Sequence, residues 1–176
     1  MSETASPSAE PILIALGANL PTERFGPPRA ALEAALSELP RRGIRVLARS
    51  RWWESAPVPP SGQPWFVNGV AEVATALGPE ALLALLHALE AEFGRVRREV
   101  NAPRTLDLDL LAYGDLIRAE DGPPPVLPHP RMATRAFVLL PLAEIRPDWR
   151  HPVLGLTVAE LARAFPEDQP IRPLQS

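Results

Sequence analysis

Two aspartates separated by a single leucine, Asp107 and Asp109, sit in the run Thr105-Leu106-Asp107-Leu108-Asp109-Leu110. Side chains alternate along a strand, so both carboxylates leave one face while the leucines bury on the other. Their Cβ atoms are then roughly 6–7 Å apart, and their oxygens can converge on one hard cation or span two. A bare Asp-x-Asp also occurs on the solvated outer face of an edge strand. The arginines shift the balance: Arg95, Arg97, Arg98 and Arg104 lie just upstream. Guanidinium forks bind phosphate oxygens bidentately and stay charged. A plain salt-bridge network with the carboxylates is one use for them. Carboxylates for Mg²⁺ beside several arginines also supply the charge neutralisation and positioning that triphosphate chemistry demands.

The segment Ser55 to Asn68 (SAPVPPSGQPWFVN) offers a different surface. A Pro-rich loop feeds a strand carrying Trp65, Phe66 and Asn68, and alternation puts Phe66 and Asn68 on one face. An aromatic plane beside an amide that both donates and accepts can hold a flat heterocycle by stacking and edge hydrogen bonds, although a Phe two before an Asn is also ordinary core next to a turn. His129, between Pro128 and Pro130, is stiffly presented and could contact a phosphate or nucleotide, or simply lie on the surface. His87 and His151 have less to recommend them. Three scattered histidines and no cysteine make no credible transition-metal site.

The elements that must position these residues are legible in outline. Pro11–Gly17 is a short apolar run fit for a buried strand, and residues 28–39 read as a helix with Leu32, Leu36 and Leu39 on one face. Residues 44–53 alternate apolar and basic as a half-exposed strand, and 65–76 are strand-like. Gly78-Pro79 opens a helix to Phe93 with Leu82, Leu86 and Leu89 in one stripe, and Gly94 stops it. Residues 104–113 form the cleanest strand; a Pro-rich loop follows over 121–130, then short helical pieces around 132–146 and 157–164. This order predicts an α+β fold, a ferredoxin-like βαββαβ antiparallel sheet with helices on one face and a short C-terminal helical extension.

Composition narrows the chemistry. All 18 Lys+Arg are arginine, and Cys is absent from the 176 residues. Schiff-base chemistry, a Walker A phosphate loop, thiolate nucleophiles and disulfides are therefore excluded. Any bound anion must be held by arginine, backbone N–H groups or metal. A net charge of −3 argues against general nucleic-acid or anionic-membrane binding. Residues 1–10 read as a disordered leader rather than a signal peptide, with residues 11–176 as one domain. No 18-residue apolar run suggests a membrane span, so a cytoplasmic protein is expected, and a monomer.

Four blocks carry a resemblance: Leu16-Gly17-Ala18-Asn19-Leu20, Gln63-Pro64-Trp65-Phe66-Val67-Asn68, Gly94 through Pro103-Arg104-Thr105-Leu106-Asp107-Leu108-Asp109, and Pro128-His129-Pro130-Arg131-Met132. In order and spacing the chain resembles the 6-hydroxymethyl-7,8-dihydropterin pyrophosphokinases of folate biosynthesis. The resemblance implies transfer of the β,γ-diphosphate of ATP to the pterin hydroxymethyl oxygen, with release of AMP. By that match Asp107 and Asp109 bind two Mg²⁺, while Arg95 and Arg104 are catalytic arginines over the phosphates. Glu90, Arg97, Arg98, His129 and Arg135 match nucleotide-site positions. Asn68 matches the pterin-edge amide, Phe66 and Phe137 the aromatic walls, and Ser55 with the backbone near Val58 the rim. The chain departs from the pattern at Asn101-Ala102, where many relatives have Trp-Gly, at Arg98, where some have lysine, and at Pro130, where others have an aromatic. A non-catalytic nucleotide or pterin sensor on the same fold is the competing reading; it would not need both aspartates.

Overall fold

The computed structural model describes residues 11–57, 60–94, 105–164 and 169–175. Strand β1 (Ile12–Ala18) leads into helix α1 (Pro28–Glu38), then β2 (Arg45–Arg49), β3 (Trp53–Ser55), β4 (Phe66–Ala74), helix α2 (Pro79–Glu92) and β5 (Asp107–Tyr113). Helices α3 (Ala136–Ile145) and α4 (Val158–Ala162) and a short strand β6 (Ile171–Pro173) complete the chain. The six strands form one antiparallel sheet in the order β5-β1-β4-β3-β6, with β2 also pairing with β4. Each β-α-β crossover skips a strand, which is the ferredoxin-like arrangement expected from the element order.

Both α1 and α2 start at a proline in the first helical turn, where its missing N–H costs nothing. α1 buries Ala31, Leu32, Ala35 and Leu36 and α2 buries Leu82, Leu86 and Leu89, against Ile14, Leu16, Ala71, Val73, Leu108 and Leu110 of the sheet. α2 ends at Phe93, and Gly94 follows in the left-handed region (φ 90°). The C-terminal extension does more than trail from the domain. Val138 and Leu142 of α3, with Trp149 and Val158, pack on Leu13, Val70, Leu111 and Ala112 and so cover the opposite face of the sheet. The β1–β5 register shifts where Ile14 pairs with Leu110 and Leu13 with Ala112, so Leu111 is an extra residue that turns towards the α3 layer.

Two details differ from the sequence expectation. The strand expected over 44–53 is two strands, β2 and β3, broken between Arg49 and Trp53. The break seats the Trp52 ring against Gly69, where a Cβ would come within 2.5 Å of it. Ser50 bridges the break: its N–H donates to Val70 O at 2.9 Å, and its hydroxyl accepts the Val70 N–H at 3.0 Å. The second detail is β6, which pairs with β3 at the sheet edge. The leader 1–10 lies outside the described residues. Among the described residues, no helix is long and apolar enough to cross a membrane.

Candidate active site

Register brings the chemistry-bearing residues into adjacent rows. Gly17 pairs with Asp107 on one side and Asn68 on the other, and Asn68 pairs in turn with Trp53. In the neighbouring rows Asp109 pairs with Ala15, and Phe66 with Ser55. Directly paired residues point to the same face, as do residues two apart along a strand. Asp107, Asp109, Asn68, Phe66 and Ser55 therefore share the face that carries α3, while Leu106, Leu108 and Leu110 enter the core beneath. The alternation expected for this strand is present: both aspartates are half-buried, and the leucines beside them are at most 3% exposed.

Asn68 is 5% exposed and held in one orientation. Its Nδ2 donates to Ser55 Oγ at 2.7 Å, and a Cβ built on Gly17 would stand 3.0 Å from its Oδ1. A second Nδ2 hydrogen and the Oδ1 lone pairs remain as an edge with one donor and an acceptor. Asn19, 1% exposed, donates from Nδ2 to Gln63 Oε1 and to Pro64 O, both at 3.0 Å. It thereby ties the end of β1 to the approach to β4. Neither Gly17 nor Asn19 had a role assigned from sequence; both lie in the Leu-Gly-Ala-Asn-Leu block, which was the available signal.

The layer above supplies Arg135 at the N-cap of α3 and Phe137 in its first turn, with the Arg135 guanidinium 5.3 Å from the Phe137 ring centre. His129 follows the cis Leu127–Pro128 bond and is anchored by its N–H to Leu111 O at 2.8 Å. Burial and then the positive charges of Arg135 and Arg131 lower its pKa to about 4, against a smaller opposing pull from Asp107. The imidazole is neutral at pH 7. Its Nδ1 accepts the Arg131 N–H at 3.1 Å, so the proton sits on Nε2 as a donor.

This histidine also carries a pH signature. A folded-state pKa of about 4, below the ordinary 6.5, means that the unfolded chain binds the extra proton between those values. Stability is then lost as pH falls from about 6.5 towards 4. A His129→Gln variant should lose less stability over that interval in denaturant titrations of the ligand-free protein; equal losses in both proteins would contradict the assigned environment.

Glu90, which the family resemblance puts at the nucleotide site, bonds to strand β5. It is 1% exposed, and its carboxylate accepts the Leu108 N–H at 2.6 Å, the amide between the two aspartates on the free edge of β5. Its side chain is engaged in holding the strand. Arg95, Arg97, Arg98, Arg104 and Val58 lie outside the described residues. Among the described residues, no group of three or more His, Asp or Glu is set to hold a metal ion.

A family model for 7,8-dihydro-6-hydroxymethylpterin-pyrophosphokinase matches residues 13–147. The chain belongs to this family. It is 44% identical over 156 residues to a 2-amino-4-hydroxy-6-hydroxymethyldihydropteridine pyrophosphokinase of Pseudomonas aeruginosa, covering 88% of this chain and 91% of that one. The pyrophosphokinase of Synechocystis sp. is 43% identical over 150 residues, covering 85% and 73%. In solved structures the fold recurs in the Plasmodium falciparum HPPK-DHPS wild type with pteroate, at a TM-score of 0.68 and 13% identity. The match covers 88% of this chain and 44% of that longer one. Within the pyrophosphokinase family the Asp107–Gly17–Asn68 row, with α3 above it, is the candidate active site.

Proposed function

We propose that this pyrophosphokinase-family chain transfers the β,γ-diphosphate of ATP to the hydroxymethyl oxygen of 6-hydroxymethyl-7,8-dihydropterin, using Mg²⁺ held by Asp107 and Asp109. The observation that carries the reading is the convergence on one sheet face of a carboxylate pair, an oriented amide and an aromatic, below a helix start bearing Arg135 and Phe137. The names of the Pseudomonas and Synechocystis relatives point the same way.

Asn68 would read the pterin edge. Its Nδ2 is partly engaged by Ser55, so the amide does not need to choose an orientation when the ring arrives. Phe66 and Phe137, from the sheet and helix layers, would stack on the two faces of the ring. Two carboxylates two residues apart fit Mg²⁺, a hard ion that takes one or two protein carboxylates and fills its other positions with water and substrate phosphate oxygens. When bound, the metal supplies charge neutralisation and alignment along the triphosphate. His129 Nε2–H and Arg135 would donate to phosphate oxygens, and Arg95, Arg97, Arg98 and Arg104 would oppose the charge on the diphosphate being transferred. The pterin hydroxyl oxygen forms its bond to the β-phosphorus as the bond from that phosphorus to the α–β bridging oxygen breaks. The hydroxyl proton is released, and AMP departs as a stable anion that needs no strong general acid. Glu90 acts through Leu108 and holds β5 in place rather than touching nucleotide.

Gly17→Ala tests the amide-edge assignment. The new methyl would press on Asn68 Oδ1 at 3.0 Å, so the pterin KM should rise roughly fivefold, about the effect of 1 kcal/mol of misfit, with little change in ATP KM. An unchanged pterin KM would refute the role of Asn68. The reaction itself is tested by incubating the protein with ATP, Mg²⁺ and the dihydropterin: AMP should accumulate only when all three are present, and EDTA should stop it. Pterin-independent ATP hydrolysis would contradict the reading.

A further inference from the structure

The last strand lies beyond residues 13–147, the span shared with the family model, yet it fastens both sides of the candidate pterin pocket. Ala136 is the first residue of α3, so its N–H has no acceptor within the helix, and the N-cap residue Arg135 makes no side-chain cap. Gln169 supplies one: its Oε1 accepts the Ala136 N–H at 2.9 Å, and its Nε2 donates to Thr134 O at 2.8 Å. One amide thus spans the joint that presents Arg135 and Phe137, bonded on either side of Arg135. An amide is the fitting group, since the joint offers one donor and one acceptor.

The next residues reach the other wall. Pro170 O accepts the Ala56 N–H at 3.0 Å, and Ile171 pairs with Ser55, whose hydroxyl in turn holds Asn68. Arg172 pairs with Glu54 at 2.7 Å and places its guanidinium 4.8 Å from the centre of the Trp65 ring, just before Phe66. Over four residues the chain passes from the start of α3 to the end of β3 and the entry to β4.

We propose that Gln169 is a positioning residue for the pterin, setting the spacing between the α3 start and the Ser55–Asn68 edge. The inference rests on the pterin reading of Phe137, Ser55 and Asn68 above. Gln169 acts through Ala136 and Thr134; it makes no contact with the reacting atoms.

The test is steady-state kinetics on the full-length Gln169→Ala variant, with Asn68→Ala assayed beside it. Losing both bonds of the joint should raise the pterin KM about tenfold, and because Arg135 sits in the same joint the ATP KM should rise too, but by no more than about threefold. Asn68→Ala should also raise the pterin KM. Should Q169A fold poorly, Gln169→Glu replaces it. Glutamate keeps the acceptor for Ala136 and sets a carboxylate oxygen against Thr134 O, so a selective rise of about threefold supports the proposal and no rise overturns it. If Asn68→Ala raises the pterin KM and Q169A does not, the positioning role falls and the pterin site stands. If neither variant moves it, the pterin reading falls and takes this inference with it. An equal rise in both substrates' KM together with a lowered melting temperature would make Gln169 merely structural, which also overturns the proposal.

Discussion

Replacing Asp107 or Asp109 with alanine should lower kcat by at least about a thousandfold, the scale on which charge stabilisation at a transferring phosphoryl group is lost. The fold should survive either change. Both carboxylates are half-buried on the edge strand β5, above leucines that fill the core. Unfolding measurements should therefore leave the melting transition cooperative and close to that of the parent. Asparagine at either position keeps the shape and removes the charge, and should be nearly as damaging as alanine, because the proposed role is to hold a cation. A variant that retains ordinary turnover would remove the metal assignment and favour the alternative of a binding module. Loss of turnover together with loss of folding would mean that the strand, not the charge, had been damaged; circular dichroism separates the two.

The second large effect is on stability. Glu72 lies in β4 on the face that carries α3, and Arg146 closes the C-terminal end of that helix. The pair is bidentate, Nε to Oε1 and the second guanidinium nitrogen to Oε2, both at 2.8 Å, with side chains only 9% and 12% exposed. The hydrogen bonds it donates to Glu72 push the Arg146 pKa upward. Glu72→Ala takes the bidentate carboxylate away from a buried guanidinium, so it should cost about 3 kcal/mol in denaturant unfolding. Removing both charges together, as in Glu72→Met with Arg146→Met, should recover most of that loss, since neither buried charge of the pair then remains. A cost below about 1 kcal/mol for Glu72→Ala would mean that the pair behaves like an exposed one. Because α3 carries Phe137 near its other end, partial loss of this anchor should also weaken pterin binding.

Much of this was readable from residues whose local signal agrees with their tertiary place. The Thr-Leu-Asp-Leu-Asp-Leu run has a period of two and an apolar set of one kind, so its faces follow from alternation alone. The helices α1 and α2 announce their starts by proline, and α2 its stop by Gly94. The misses have tertiary causes. The break at Ser50–Trp52 depends on a tryptophan finding the bare backbone of Gly69 in another strand, which no window of ten residues contains. Strand β6 is three residues long and ends in proline, so it has no periodicity to read; its pairing partner β3 defines it. The bond from the Leu108 N–H to Glu90 joins α2 to β5, a contact that no local pattern announces. Gln169 belongs to the same class, because its meaning lies in the α3 joint 33 positions away. Sequence thus exposed the groups that would do chemistry, while the groups that would hold them emerged from the packing.

The central claim concerns which bond of ATP breaks. Phosphorus NMR of the products formed from ATP, Mg²⁺ and 6-hydroxymethyl-7,8-dihydropterin tests it directly. Cleavage between the α- and β-phosphorus should yield AMP and a pterin bearing two phosphorus signals, in equal amounts. ADP with a pterin monophosphate, or ATP consumed with no phosphorus on the pterin, would contradict it.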